Sequence, residues 1–224
     1  VPSRQYETFC SEREENTEDF FGIRIDKKYA KIENENITLQ NVMFMVDVMG
    51  ECIIKNEVPF CELDAHAGDG DFGMSVSKGF RQLKREWNEI IEKNGNDIGD
   101  FLNACSLVIM EYCGGASGPI WGSAFRAAGK CAQGKKELKA EDFAGLLQSA
   151  VIGIQKTGEY SFGRGAVVGD KTLIDALVPC ADTWTEFSSK GMHLRELFLL
   201  SAEEAAKGAK ETALIAARMG RAGT

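Results

Sequence analysis

The stretch that decides the fold is Leu39–Ile53, LQNVMFMVDVMGECI. Leu39, Val42, Met43, Val46, Met49 and Ile53 recur at steps of three and four, which puts them on one face of a helix. Outward from there the pattern repeats. Val76, Phe80, Leu83, Trp87, Ile90 and Ile91 give a second helix after a glycine-rich loop. Ile98, Phe101, Leu102, Cys105, Val108, Ile109 and Tyr112 give a third. Pro119 is placed to open a fourth, running to about Gln133. A fifth spans about Glu141 to Thr157, stopped by Gly158, and a sixth about Lys171 to Phe187. The last begins near His193 and extends to Met219, about 39 Å at 1.5 Å per residue. No segment carries a period-two run bounded by turns. The expected class is therefore all-α, a bundle whose short connections make sequential neighbours antiparallel. Residues 1–35 are charged and lack a sustained period; they read as an N-terminal arm or linker before a helical domain over 36–224.

Composition bounds the function. The 224 residues hold 26 Lys and Arg against 34 Asp and Glu, a net charge of −8, which disfavours nucleic-acid phosphates and anionic membrane surfaces as partners. The 44% hydrophobic and 27% charged content is that of a globular chain, not a disordered one. No run approaches the roughly 18 apolar residues of a membrane-crossing helix, and the start lacks the basic-then-apolar order of a signal peptide. It also lacks an initiator Met and reads as a processed or trimmed piece. Seven cysteines, none in C-x-x-C spacing, read as buried reduced thiols of a cytoplasmic protein.

Four glycine-rich junctions between helices carry the chemistry. The first, Leu63-Asp64-Ala65-His66-Ala67-Gly68-Asp69-Gly70-Asp71-Phe72-Gly73, sets three carboxylates among small residues. Like charges so close repel unless a cation sits among them, and hard oxygen donors without Cys or paired His favour Mg²⁺ or Ca²⁺. An acidic surface turn is the alternative, since Asp-Gly is ordinary turn chemistry. Gly68-x-Gly70-x-x-Gly73 matches the dinucleotide fingerprint in form only: no strand precedes it, and Asp69 and Asp71 would repel a bare pyrophosphate. Asp71-Phe72-Gly73 lacks the rest of the protein-kinase motif set, and the spacing is wrong for an EF-hand. The second junction, Gly114-Gly115-Ala116-Ser117-Gly118-Pro119, is either a phosphate seat at a helix N-terminus or a corner that needs glycines. The third, Gly163-Arg164-Gly165 to Gly169-Asp170-Lys171-Thr172, adds cations and a hydroxyl, with Asp170 a candidate helix cap. The fourth, Arg218-Met219-Gly220-Arg221-Ala222-Gly223, brings arginines to the end of the last helix, where they complement its dipole in any case. His66 reads as a loop residue and His193 as a helix start; no Ser/His/Asp nucleophilic set is present in the pattern.

L-D-x-x-x-G-D-G-D-x-G, then G-G-A-S-G-P, G-D-K-T and G-R-A, in this order from about Asn36 to Gly223, resembles the nucleotide-binding L domain of dihydroxyacetone kinases. It is most similar to the separate L subunit (DhaL) of the phosphotransferase-dependent enzymes. The resemblance implies an antiparallel eight-helix barrel with nucleotide at one rim. Asp64, Asp69 and Asp71 would hold two Mg²⁺ ions against the phosphates of ADP or ATP. Phe72, Gly73, Met74 and Ser75 would line those phosphates, and Ala116 and Ser117 would touch the nucleotide. Gly163 (or Gly165, this loop being one residue longer) and Leu173 would border the base, and Arg221 would approach the phosphates. No protein nucleophile is needed, because the chemistry is positioning and electrostatic stabilisation of a transferring phosphoryl group. Implied partners are a K-type subunit or domain holding dihydroxyacetone and an M-type phosphocarrier subunit; a homodimer is a further option.

The sequence departs from the family in three places. Position 72 is Phe, where the separate L subunits usually carry His and the ATP-dependent enzymes often Cys, so the phosphoryl donor is not legible there. The family chain continues past Gly-Arg-Ala into a loop and a closing eighth helix, so the functional polypeptide is expected to be longer, with an apolar seam between first and last helices. Residues 1–35 exceed the usual start. Two alternatives follow: the L domain of an ATP-dependent kinase for dihydroxyacetone or a related keto-sugar, or a nucleotide-loaded regulatory module.

Overall fold

The computed structural model describes residues 22–66 and 68–220. Helices α1 (Leu39–Lys55), α2 (Glu57–Asp64), α3 (Phe72–Arg85), α4 (Trp87–Asn94) and α5 (Ile98–Tyr112) are followed by α6 (Ser117–Cys131), α7 (Ala140–Phe162), α8 (Ile174–Ser188) and α9 (Leu194–Glu211). The only sheet among the described residues is a two-residue antiparallel pair, β1 (Ile37–Thr38) with β2 (Glu137–Leu138), Ile37 opposite Leu138. The class is all-α, as the periodicity requires.

Neighbours pack in the order α1, α3, α5, α6, α7, α8, α9, with α2 and α4 as short flanking helices on α3 and α5. Successive members of this series run in opposite directions. The inward faces supply one continuous core, in which Trp87 meets Phe101 edge-on at 5.7 Å and Trp184 lies 4.6 Å from Phe143 and 4.8 Å from Phe198. The Trp184 indole N–H is satisfied inside that core by Ser201 Oγ at 3.0 Å. Between α1 and α9 lies a groove of about 840 Å³, lined by residues such as Phe44, Val48, Met49, Leu194 and Phe198. Among the described residues, no helix is long and apolar enough to cross a membrane.

The helices differ from the sequence reading in five places. The expected fifth helix is not stopped by Gly158: α7 runs through it to Phe162 and ends at the left-handed Gly163. Residues 57–64, to which the periodicity assigns no element, form a helix of their own; Pro59 is tolerated in its first turn because no intrahelical N–H is needed there. The expected second helix breaks at Glu86, which caps α3 and starts α4, turning Trp87 and Ile90 both into the core. The expected sixth helix starts at Ile174 instead of Lys171, whose φ of +63° is incompatible with helix. The last ends at Glu211, and after a short 3₁₀ turn (Thr212–Leu214) the chain leaves the helical path. Its tail is drawn across a neighbouring loop: Lys171 Nζ donates to the Ile215 carbonyl at 3.2 Å and Arg218 N–H to the Asp170 carbonyl at 3.1 Å.

Of the expected N-terminal arm, residues 22–35 are described, and they are fastened to the bundle. Thr38 caps α1 by accepting Asn41 N–H at 3.3 Å, and the Asn41 amide donates to the carbonyls of Tyr29 (2.7 Å) and Lys31 (3.2 Å). Glu35 accepts the Leu194 N–H at 2.7 Å, bridging to the start of α9. Beneath this segment lies a buried ion pair. Lys84 of α3 contacts the Asp47 carboxylate of α1, and the ammonium also donates to the carbonyls of Asp47 (3.0 Å) and Gly22 (3.2 Å). The other Asp47 oxygen accepts the N–H groups of Arg24 (2.6 Å) and Ile25 (2.8 Å). Both charges are thus compensated.

Asp47→Ala is expected to lower unfolding stability by about 3–5 kcal/mol, since it leaves the Lys84 charge buried without its partner. Guanidinium unfolding measures the loss, and the double variant Asp47→Leu/Lys84→Met should recover part of it. A loss below about 1 kcal/mol in the single variant would mean that Lys84 finds water or another acceptor.

Candidate functional site

The described residues of the connections 65–71, 113–116 and 163–173, and the tail over 212–220, lie at the end of the bundle opposite the small sheet. Hydrogen bonds near this end tie the loops to adjacent helices, the helices to each other, and the tail to the third loop. Gly114 N–H donates to the Ser75 carbonyl at 3.0 Å, Thr157 Oγ1 to Ser123 Oγ at 2.7 Å, Gln155 to the Ala166 carbonyl at 2.9 Å, and Arg218 to Asp170 as above.

Asp64 is the last residue of α2, and Asp71 immediately precedes α3. The chain between them folds tightly at Gly70, with φ of +76°, a conformation glycine adopts without strain. Asp64 Oδ2 accepts the N–H groups of Asp71 (3.1 Å) and Phe72 (3.3 Å), so a carboxylate closes the positive end of α3. Its other oxygen lies against Gly68, where a Cβ would come within 2.3 Å. One carboxylate oxygen each from Asp64, Asp69 and Asp71 then lie within 4.8 Å of one another. Two unit charges about 4 Å apart repel by about 1 kcal/mol in water and about 4 kcal/mol at an effective dielectric near 20. A hard divalent cation removes that cost, and an all-oxygen donor set suits Mg²⁺ or Ca²⁺. His66 is outside this group and is hydrogen-bonded through Nδ1 to the Glu62 carbonyl at 2.8 Å.

Phe72, Gly73, Met74 and Ser75 form the first turn of α3. The Phe72 ring rests on Phe60 of α2, centroids 5.9 Å apart. Gly73 is buried where a Cβ would meet the Glu57 carbonyl at 1.9 Å and Cys61 Sγ at 2.8 Å, so α2 and α3 touch there backbone to backbone. Ala116 precedes α6 and offers no capping side chain; Ser117 is the first helical residue and is buried. The Cys113 thiol beside this loop donates to the Val76 carbonyl at 3.5 Å, and burial pushes its pKa up to about 11, so it stays protonated.

The third junction is held by two buried aspartates. Gly163, with φ of +76°, ends α7. Asp170 is no helix cap, contrary to expectation, because α8 begins four residues later. Its carboxylate instead takes both Arg164 nitrogens, Nη2 to Oδ1 at 2.9 Å, and the Val167 N–H at 2.9 Å. Asp175 accepts the N–H groups of Gly169 (2.6 Å) and Thr172 (2.7 Å) and so supports the left-handed Lys171 between them. Leu173 is partly buried against the core just before α8. Arg221 lies outside the described residues.

A model of the DAK2 domain matches residues 66–224. This chain belongs to the DAK2 domain family. The PEP-dependent dihydroxyacetone kinase 2 ADP-binding subunit DhaL of Listeria innocua is 30% identical over 174 residues, 78% of this chain and 77% of that protein. The corresponding ADP-binding subunit DhaL of Escherichia coli is 28% identical over 160 residues, 71% of this chain and 72% of that protein. L-erythrulose kinase of Pectobacterium atrosepticum is 30% identical over 172 residues, 77% of this chain but 28% of that enzyme.

In this DAK2 domain the structure brings together Asp64, Asp69 and Asp71, and sets Ser75 against the loop that leads to Ala116 and Ser117. Sequence reasoning missed the residues that hold these segments: Glu57, Ser77 and Arg81 under the first loop, and Asp175 with the Arg164–Asp170 pair under the third. Only the last carried a signal, an Arg and an Asp bracketing a glycine-rich turn.

The Arg164 guanidinium, followed by the Val167 N–H, lowers the Asp170 pKa from 3.8 to about 2. A depressed carboxylate stabilises the folded state above its unfolded pKa and loses that contribution as pH falls through the folded one. Asp170→Asn should therefore lower Tm at pH 6, with the gap to the unaltered protein closing as pH falls from about 4 to about 2. Thermal scans across that range are the check; a gap independent of pH would mean that the pair's charge contributes nothing.

Proposed function

We propose that this chain is the nucleotide-binding component of a dihydroxyacetone kinase, moving a phosphoryl group from a Mg-nucleotide to dihydroxyacetone held by a partner. The observation that carries the reading is the convergence of Asp64, Asp69 and Asp71 within 4.8 Å at the mouth of α3. Similarity to ADP-binding subunits over about three quarters of both chains supports it.

On this reading the three aspartates would hold two Mg²⁺ ions, which supply charge neutralisation at the phosphates. Three carboxylates and ADP bring roughly six negative charges to one place, and two Mg²⁺ return four. Gly73, Met74 and Ser75 would line the phosphates at the first turn of α3, whose N-terminal end favours negative charge. Phe72, packed on Phe60, would fix that turn. Ala116 and Ser117 would meet the nucleotide from the adjoining loop, and Gly163 and Leu173 would border the base; Arg221 would reach the phosphates from the tail. The bundle contributes orientation and a fixed electrostatic frame, with no nucleophile of its own. The partners would be a K-type subunit carrying the keto-sugar and an M-type phosphocarrier that restores the nucleotide.

Similarity to L-erythrulose kinase favours a second reading, in which the same domain serves an ATP-dependent keto-sugar kinase. The two readings differ in nucleotide exchange. A phosphocarrier-dependent subunit keeps ADP through gel filtration and has it rephosphorylated in place, whereas an ATP-dependent kinase exchanges labelled nucleotide quickly. Rapid exchange with ATP-supported turnover would select the second.

Asp69→Asn and Asp71→Asn are each expected to abolish Mg²⁺-dependent ADP binding while leaving the circular dichroism of the helices unchanged. Titration calorimetry in Mg²⁺ decides, and unaltered affinity in both variants would remove the metal assignment.

A further inference from the structure

Beneath the aspartate loop, a second polar cluster joins the two helices that carry it. Glu57 opens α2, the helix whose last residue is Asp64. Its carboxylate accepts a hydrogen bond from Ser77 Oγ at 2.7 Å and pairs with Arg81, both on α3, and Arg81 Nη1 donates to Ser77 Oγ at 2.9 Å. Ser77 is fully buried, and the Glu57 and Arg81 side chains are only 12% and 18% exposed. Just above this cluster the Glu57 carbonyl rests on Gly73, with no room for a Cβ.

These contacts fix α2 against α3 at two levels, one backbone to backbone and one through charge. Asp64 rides on α2, whereas Asp71 and the chain behind it ride on α3. A slide or tilt of α2 by a fraction of an ångström therefore changes the separation of Asp64 from Asp69 and Asp71. The Asp64 carboxylate holds the N–H groups of Asp71 and Phe72 at the top of α3, but these are two neutral-donor bonds at the end of α2, and the charged contacts lie lower, at Glu57. Hard divalent cations of the Mg²⁺ kind demand near-ideal oxygen geometry and lose affinity when it is disturbed.

We infer that Glu57, with Ser77 and Arg81, is a positioning residue that sets the aspartate geometry for the divalent cation. The inference rests on the metal reading proposed above. It concerns the strength of cation binding and assigns no contact between Glu57 and nucleotide.

The test measures ADP binding by the full chain against Mg²⁺ concentration, together with Tm without ligand. Glu57→Gln keeps the shape and removes the charge; Ser77→Ala removes the buried bridge and is the milder change should the first fail to fold. Both should raise the Mg²⁺ concentration for half-maximal ADP binding about tenfold, with ADP affinity largely restored at saturating Mg²⁺. Ser201→Ala, which loosens Trp184 between α8 and α9, serves as a control for lost stability alone and should lower Tm without moving the Mg²⁺ midpoint. Unchanged midpoints in Glu57→Gln and Ser77→Ala, or an equal shift in Ser201→Ala, would overturn the inference. Failure of the underlying reading looks different: the unaltered protein would bind ADP equally with and without Mg²⁺.

Discussion

The aspartate loop depends on how closely α2 approaches α3. Gly73 brings the two backbones into contact, and any Cβ there would overlap the Glu57 carbonyl. Because the helices sit so close, the chain between Asp64 and Asp71 turns back within a very short span, and small residues are what permit it. The three carboxylates converge as a consequence. Asp64 contributes twice, closing the N-terminus of α3 through one oxygen and facing the other two aspartates, a division of labour that holds the loop together despite its like charges.

The bundle and its rim are stabilised by different means. At the level of α1 and α3, order comes from a continuous apolar core and from one fully compensated buried pair, Asp47–Lys84, which also secures residues 22–25. At the rim apolar burial gives out: Leu63, Phe162, Val167, Val168 and Leu214 are all exposed there. Polar clamps take over, Glu57–Ser77–Arg81 under one loop and Arg164–Asp170 with Asp175 under another. Such clamps specify geometry strongly while adding little net stability, because each hydrogen bond replaces one with water. That balance suits a surface whose loops must hold a fixed arrangement around a charged ligand.

What the sequence disclosed follows the same division. Leu39–Ile53 was legible because one face of that helix is buried and the spacing of its apolar residues records the fact. The Asp64, Asp69 and Asp71 set was legible because its members are close along the chain. Residues 57–64 were not, since so short a helix has no periodic stripe to display. The last helix was read too long because its alanine-rich second half favours helix locally, while Lys171 and Arg218 pull the following chain across the third junction. Glu57, Ser77 and Arg81 left no trace: Glu57 and Ser77 meet across 20 residues, and each is an ordinary surface residue type.

The cations at the rim bear on the charge balance of the proposed site. The junctions supply Arg164 and Lys171, which in a linear reading look available to nucleotide phosphates. In the fold Arg164 is engaged with both oxygens of Asp170, and Lys171 reaches the Ile215 carbonyl. Withdrawing Arg164 to bind phosphate would strand the buried Asp170 carboxylate, at a desolvation cost that a solvent-facing phosphate contact does not offset. On the proposed reading these side chains therefore build the rim and leave neutralisation of the phosphates mainly to divalent cations on the aspartate loop. A protein of net charge −8 that binds a polyanion needs such an arrangement, and it makes nucleotide affinity follow the concentration of the cation more than the ionic strength.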